Sequence, residues 1–255
     1  MTSSLMKHFL ANSNEDGRGG SSSDFDERLF REYYSVPFRM GIEQGGSNAF
    51  MTAYNAWNQI PMTVNPVLRS VAMKDWGFTG ILCTDAGALT NMVTEHKSFL
   101  TLDAAAAAAI HAGINQFLDK YLEPVKTAYA GKLFTERDVD ENLRGVYRVM
   151  IRLGMMDPPS MVRYAGIGRP GDPAAAKGDP WTWPEHKTLA RRVTDESIVL
   201  LKNEGNILPL DSHTIKSLAI IGPYADQVLL DWYSGTPPYT VSPLEGIRKR
   251  AGSAV

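Results

Sequence analysis

The first 157 residues alternate between two textures, and that alternation restricts the chain more than any other feature. Short apolar runs at residues 49–54, 80–84 and 114–118 read as buried strands. Longer stretches between them read as helices. Residues 24–44 place Phe25, Leu29 and Phe30 on one face. Residues 103–111 form an alanine run that Gly113 stops. Residues 135–153 are the clearest case. Thr135 and Asp138 have capping-box spacing, and Val139, Leu143, Val146, Met150 and Leu153 repeat at helical intervals. Strands alternating with helices imply a parallel sheet joined by crossover helices, so the fold class is α/β.

Residues 158–184 break the pattern. They hold Pro158, Pro159, Pro170, Pro173, Pro180 and Pro184, interleaved with glycines. Proline removes backbone donors and glycine raises the entropy cost of ordering, so this stretch reads as a linker. Beyond it, residues 185–196 and 244–250 look helical, 197–201 is an apolar run, and 217–221 looks like a short buried strand.

The 26 basic and 28 acidic residues leave a formal charge of −2. That balance excludes nucleic-acid binding and membrane anchoring driven by bulk positive charge. An apolar share of 44% supports a packed core. Cys83 is the one cysteine, which excludes an internal disulfide and a cysteine-rich zinc site. The five histidines show no metal-ligand spacing, and no apolar run reaches the ~20 residues of a membrane span. The first residues lack the pattern of a signal peptide.

Three stretches carry chemistry. The apolar run before Asp85 ends in that carboxylate, and the small residues Ala86-Gly87-Ala88 follow. A carboxylate at the carboxyl end of a strand either caps the next turn or serves as a nucleophile toward carbon. Lys7-His8-Phe9 precedes a polar segment with Glu15 and Arg18. This is either a solvated loop or a set of donors and acceptors suited to sugar hydroxyls. Tyr54 closes a third run, either as a buried phenol or as a group that orients a nucleophile. Most of the five tryptophans read as core-packing residues, with sugar stacking as the alternative use.

Together these stretches resemble glycoside hydrolase family 3. The order is Lys7-His8, Glu15, Arg18, Asp26-Glu-Arg28, Arg31-Glu-Tyr-Tyr34 and Pro37-Phe38. Met51-Thr-Ala-Tyr-Asn-Ala-Trp-Asn58, Trp76-Gly-Phe-Thr-Gly80 and Asp85 follow. Val199-Leu-Leu-Lys-Asn203, Leu208-Pro-Leu210 and Ile220-Ile-Gly-Pro223 complete the series. The resemblance implies retaining hydrolysis of terminal, non-reducing β-linked sugars. Asp85 stands where the family's nucleophile stands. Lys7, His8, Arg18 and Tyr54 match positions that hold the sugar or support the nucleophile, and Glu15 matches a carboxylate of the β-xylosidase-like branch. Ala86 replaces the tryptophan found in many members, which favours xylose or arabinose over glucose. The hexosaminidase type is disfavoured, because Leu10-Ala11-Asn12 follows Phe9.

The resemblance also implies domains: 1–157 as the C-terminal part of a (β/α)8-type barrel, 158–184 as linker, and 185–255 as the start of an α/β sandwich. A barrel of this kind takes ~250 residues, so the chain is expected to be an internal fragment. The family's acid/base glutamate would then lie downstream, and Glu204 belongs to another motif. The isolated chain is expected to show little or no turnover, and a partial barrel leaves edges and apolar faces prone to aggregation. No cofactor is implied, since two carboxyls suffice. The expected partner is an oligosaccharide or an aryl or alkyl β-glycoside, and the parent is expected to be periplasmic or secreted. The competing reading is a non-catalytic carbohydrate-binding remnant.

Overall fold

The computed structural model describes residues 2–118, 120–173, 177–211 and 213–252. The chain divides into two compact units, Met1–Ala165 and Gly166–Val255. Among the described residues no helix is long and apolar enough to cross a membrane.

The first unit is built on a parallel sheet of β1 (Leu5–Phe9), β3 (Ala49–Thr52) and β6 (Ile81–Cys83), in that spatial order. A single parallel bridge from Cys83 to Gln116 extends it. The expected strand at 114–118 is thus one bridged residue. A small second sheet pairs β2 (Ser22–Ser23) parallel with β4 (Ala56–Trp57), and β4 antiparallel with β5 (Ile60–Pro61). The architecture is α/β with mixed sheets.

β3 is buried along its whole length, as a strand covered on both faces must be. It sets the register of its neighbours. Ala49, Phe50 and Met51 pair with Ile81, Leu82 and Cys83. On the other side Met6 pairs with Phe50, but Phe9 pairs with Thr52, so β1 carries one extra residue across Lys7-His8. That is a bulge, a device that re-aims side chains.

Residues 24–44, expected as one helix, are interrupted. Short α1 (Glu27–Leu29) runs into a π-helical turn at Phe30–Tyr34, then α2 (Val36–Glu43). The wider turn buries Phe30, which stacks on Trp57 at 4.7 Å. A second π-helical stretch, Leu68–Asp75, buries Leu68, Val71 and Ala72. α3 (Ala88–Thr94) follows β6. α4 (Leu102–Ala112) is the alanine helix, stopped at Gly113 as the sequence indicates. Its buried alanines let α3 and α5 (Leu122–Ala130) pack closely against it. α6 (Glu136–Arg152) starts with the expected capping box: Thr135 accepts from the Asp138 N–H, and Asp138 accepts from the Thr135 N–H at 2.7 Å. The core centres on Phe9, which meets Phe38 at 5.0 Å and Phe50 at 5.1 Å. Trp76 packs edge-on to Phe9.

In the second unit α7 (Pro184–Ser197) and α8 (Pro243–Ala251) match the expected helices. Ser242 caps α8 and donates to Asp226 at 2.6 Å. The expected buried strand at 217–221 is not formed: among the described residues neither it nor the apolar run at 197–201 has a ladder partner. Leu201 and Ile221 are exposed. A strand owes its stability to a neighbour, and apolar content alone does not supply one. Residues 174–176 of the expected linker, and 212 and 253–255 of the expected second domain, lie outside the described residues.

Candidate active site

The site forms where the parallel strands of the first unit end. β6 delivers Asp85 two residues past its last strand residue, Cys83. Beneath it, buried Thr52 meets Thr63 at 3.2 Å, and Thr84 accepts the Leu118 N–H at 2.9 Å. These hydroxyls satisfy polar groups where the ladder runs out.

Asp85 is no helix cap. The N-cap of α3 is Gly87, in a left-handed conformation (φ 82°) and without a side-chain bond. Asp85 instead accepts the Ala86 N–H on Oδ1 at 2.8 Å, and its Oδ2 lies 3.2 Å from His8 Nε2. Both side chains are largely covered, at 14% and 28% exposure. Lys7-His8 therefore lies on a strand, and the solvated-loop alternative fails for these two residues. Their signal was weak because Leu5–Phe9 lacks clean alternation: its buried residue is Phe9, and its extra residue breaks the period.

Burial is the main influence on His8 and holds its pKa below the ordinary 6.5. Asp85 opposes that, Lys7 and Arg18 add to it, and Glu15 opposes it weakly. His8 is thus largely neutral near pH 7, with Nε2 facing the Asp85 carboxylate. Lys7, Glu15 and Arg18 thus all act on the His8 imidazole through their charges. Glu15 and Arg18 pair at 2.8 Å in the exposed loop after β1. The Arg18 guanidinium stands 5.1 Å from the centre of the Tyr54 ring, a cation–π contact.

Tyr54 does not reach the Asp85 carboxylate with its hydroxyl. The phenol donates to the Ala86 carbonyl at 2.7 Å, one residue further along. Asn55, buried beside it, donates to Ser23 Oγ at 3.2 Å and to the Ala56 carbonyl at 3.0 Å, tying the end of β3 to the small sheet. Spacing gives no sign of His96, whose Nε2 lies 2.8 Å from the Tyr54 carbonyl. The structure thus brings all six expected residues to one end of one sheet.

This arrangement places a carboxylate beside an imidazole, under the influence of two cationic side chains, at the carboxyl edge of a parallel sheet. Residues 1–149 match the Glycosyl hydrolase family 3 N terminal domain, and residues 198–254 match the Glycosyl hydrolase family 3 C-terminal domain. The chain belongs to glycoside hydrolase family 3. It is 32% identical over 262 residues to probable beta-D-xylosidase 7 of Arabidopsis thaliana, covering 99% of this chain and 33% of that protein. Beta-glucosidase B of Emericella nidulans is 30% identical, covering 98% of this chain and 28% of that protein. Among solved structures, a β-glucosidase from Erythrobacter marinus superimposes with a TM-score of 0.80 at 30% identity, covering 98% of this chain and 33% of the other. An exo-β-xylosidase in complex with a xylobiose aziridine activity-based probe gives 0.81 at 27%, covering 97% and 32%. The chain spans about a third of the length of these relatives.

Proposed function

We propose that the chain carries the nucleophile side of a retaining β-glycosidase site for terminal, non-reducing β-linked xylose or glucose. The contact between His8 and Asp85 at the carboxyl ends of β1 and β6 carries this reading. The names of the relatives, β-xylosidases and β-glucosidases, support it. They also weigh against the non-catalytic alternative.

Asp85 attacks the anomeric carbon with one carboxyl oxygen, and the bond from that carbon to the leaving oxygen breaks. A second carboxyl, about 5 Å away in retaining enzymes, protonates the leaving oxygen. It then takes a proton from water, whose oxygen displaces Asp85. On Asp85, Oδ1 accepts the Ala86 N–H and Oδ2 lies beside the His8 imidazole. A neutral His8 steadies the carboxylate without neutralising it. Lys7, Arg18 and Glu15 grip hydroxyls, and Tyr54 walls the first subsite. Ala86, small and exposed, favours a pentose. On this reading residues 1–157 are part of a (β/α)8-type barrel, 158–184 a linker and 185–255 the start of an α/β sandwich.

A 2,4-dinitrophenyl 2-deoxy-2-fluoro-β-xyloside tests the proposal. Its leaving group departs without a proton, so labelling depends on the nucleophile alone. Mass spectrometry is expected to find the fluoroxylosyl adduct on Asp85, and none in Asp85→Asn. An unlabelled wild-type chain, or a label on another residue, overturns the proposal.

A further inference from the structure

The pairing of β3 with β6 ends at Met51 and Cys83, and the last ladder-like bond from the β3 segment runs from the Ala53 N–H to the Phe9 carbonyl. The carbonyl of half-buried Tyr54 lies just beyond, where it needs a donor from elsewhere. The donor comes from the far end of α3. That helix leaves the Asp85-Ala86-Gly87 turn, and the His96 N–H bonds back to the Asn91 carbonyl at 2.9 Å. The reversal brings His96 Nε2 to 2.8 Å from the Tyr54 oxygen. A carbonyl only accepts, so Nε2 carries the proton. At its other end Tyr54 donates its phenol proton to the Ala86 carbonyl, and the Ala86 N–H is held by Asp85. Tyr54 is therefore gripped at its main chain and at its ring tip by the one segment that also carries Asp85.

We infer that His96 is a positioning residue for the Asp85 carboxylate, acting through the main chain of Tyr54 and the Ala86 turn. The closed circuit of Asp85, Ala86, Tyr54 and His96 keeps the turn from swinging, so the attacking oxygen stays aimed. The inference rests on Asp85 as the nucleophile. It adds a residue that needs no contact with the sugar.

The test compares wild type, His96→Ala and His96→Gln by two readouts. Gln keeps an N–H donor near the position of Nε2, and Ala removes it. Imidazole ¹⁵N spectra of the wild-type chain are expected to show His96 protonated on Nε2. With the fluoroxyloside, His96→Ala is expected to lower the first-order labelling constant by roughly tenfold or more while leaving the saturation constant near wild type, since small misplacements of a reacting group cost this much. His96→Gln is expected to restore most of the rate. An unprotonated Nε2, an unchanged rate in His96→Ala, or a loss that Gln fails to restore overturns the inference and leaves Asp85 labelling in wild type intact. A wild-type chain that takes no label overturns the nucleophile reading, and the inference falls with it.

Discussion

His8 and Asp85 meet at 3.2 Å although their strands do not pair: β3 lies between β1 and β6. The bulge in β1 carries Lys7-His8 across this gap, and the turn after β6 brings Asp85 to meet it. The contact therefore reports on the whole three-strand array.

It also fixes a pH response. The pKa of His8 is held below 6.5, chiefly by burial. Between that lowered value and 6.5 the unfolded chain binds a proton that the folded chain does not, so stability rises with pH there. The contribution is full above 6.5 and is lost as pH falls through the folded value. An NMR titration of the His8 ring is expected to give a midpoint below 6.5. Asp85→Asn removes the charge that raises it, so the midpoint is expected to drop further. A midpoint at or above 6.5 in wild type contradicts the burial argument.

Tyr54→Phe removes the proton donated to the Ala86 carbonyl and keeps the ring under Arg18. The carbonyl lies on an exposed residue and water can replace the donor, so the stability cost is expected to be about 1 kcal/mol or less. Fluoroxyloside labelling is expected to slow by roughly tenfold, because the turn behind Asp85 loosens. Equal rates for the two proteins mean that the phenol does not steady the turn.

Gly145 lets α6 lie against the end of β6. An added Cβ would crowd the Gly80 carbonyl and come within 2.7 Å of Asn115 Nδ2. That amide group ties several elements together: it accepts the Leu82 N–H at 2.8 Å and donates to the Gly80 and Asn142 carbonyls at 3.0 and 3.2 Å. Gly145→Ala is expected to cost about 1–3 kcal/mol in urea denaturation. A variant as stable as wild type shows that α6 sits further out.

Thr135→Ala removes one half of the capping box. The cap is expected to be worth about 1 kcal/mol, read as a lower denaturation midpoint. Its hydroxyl is also the main reason that the pKa of Asp138 lies below the ordinary carboxylate value. In the variant, Asp138 is expected to titrate higher, and an unmoved titration would contradict that assignment.

Local signals made parts of this fold legible. The alanine run with Gly113 behind it, and the Thr135 cap ahead of a regular apolar stripe, each specify a helix within one segment. The interrupted helix at 24–44 was not legible, because burying Phe30 takes a wider turn than the 3.6-residue period implies. β1 was hidden by its bulge, and the runs at 197–201 and 217–221 show apolar character without strand neighbours. For the site, Asp85, Lys7, His8, Glu15, Arg18 and Tyr54 could be selected from the order of motifs. His96 could not, because its role arises from a chain reversal and no spacing encodes it.

The bulge and the central strand together dictate where this protein tolerates length changes. If β3 slipped by two residues against β1 while keeping its register with β6, the smallest step that keeps side chains on their own faces, β1 would move past β6 by about 6.6 Å. Imidazole and carboxylate would then be out of each other's reach. A length change inside Ala49–Thr52 is accordingly expected to disrupt the site, whereas turns at the opposite end of the sheet tolerate one.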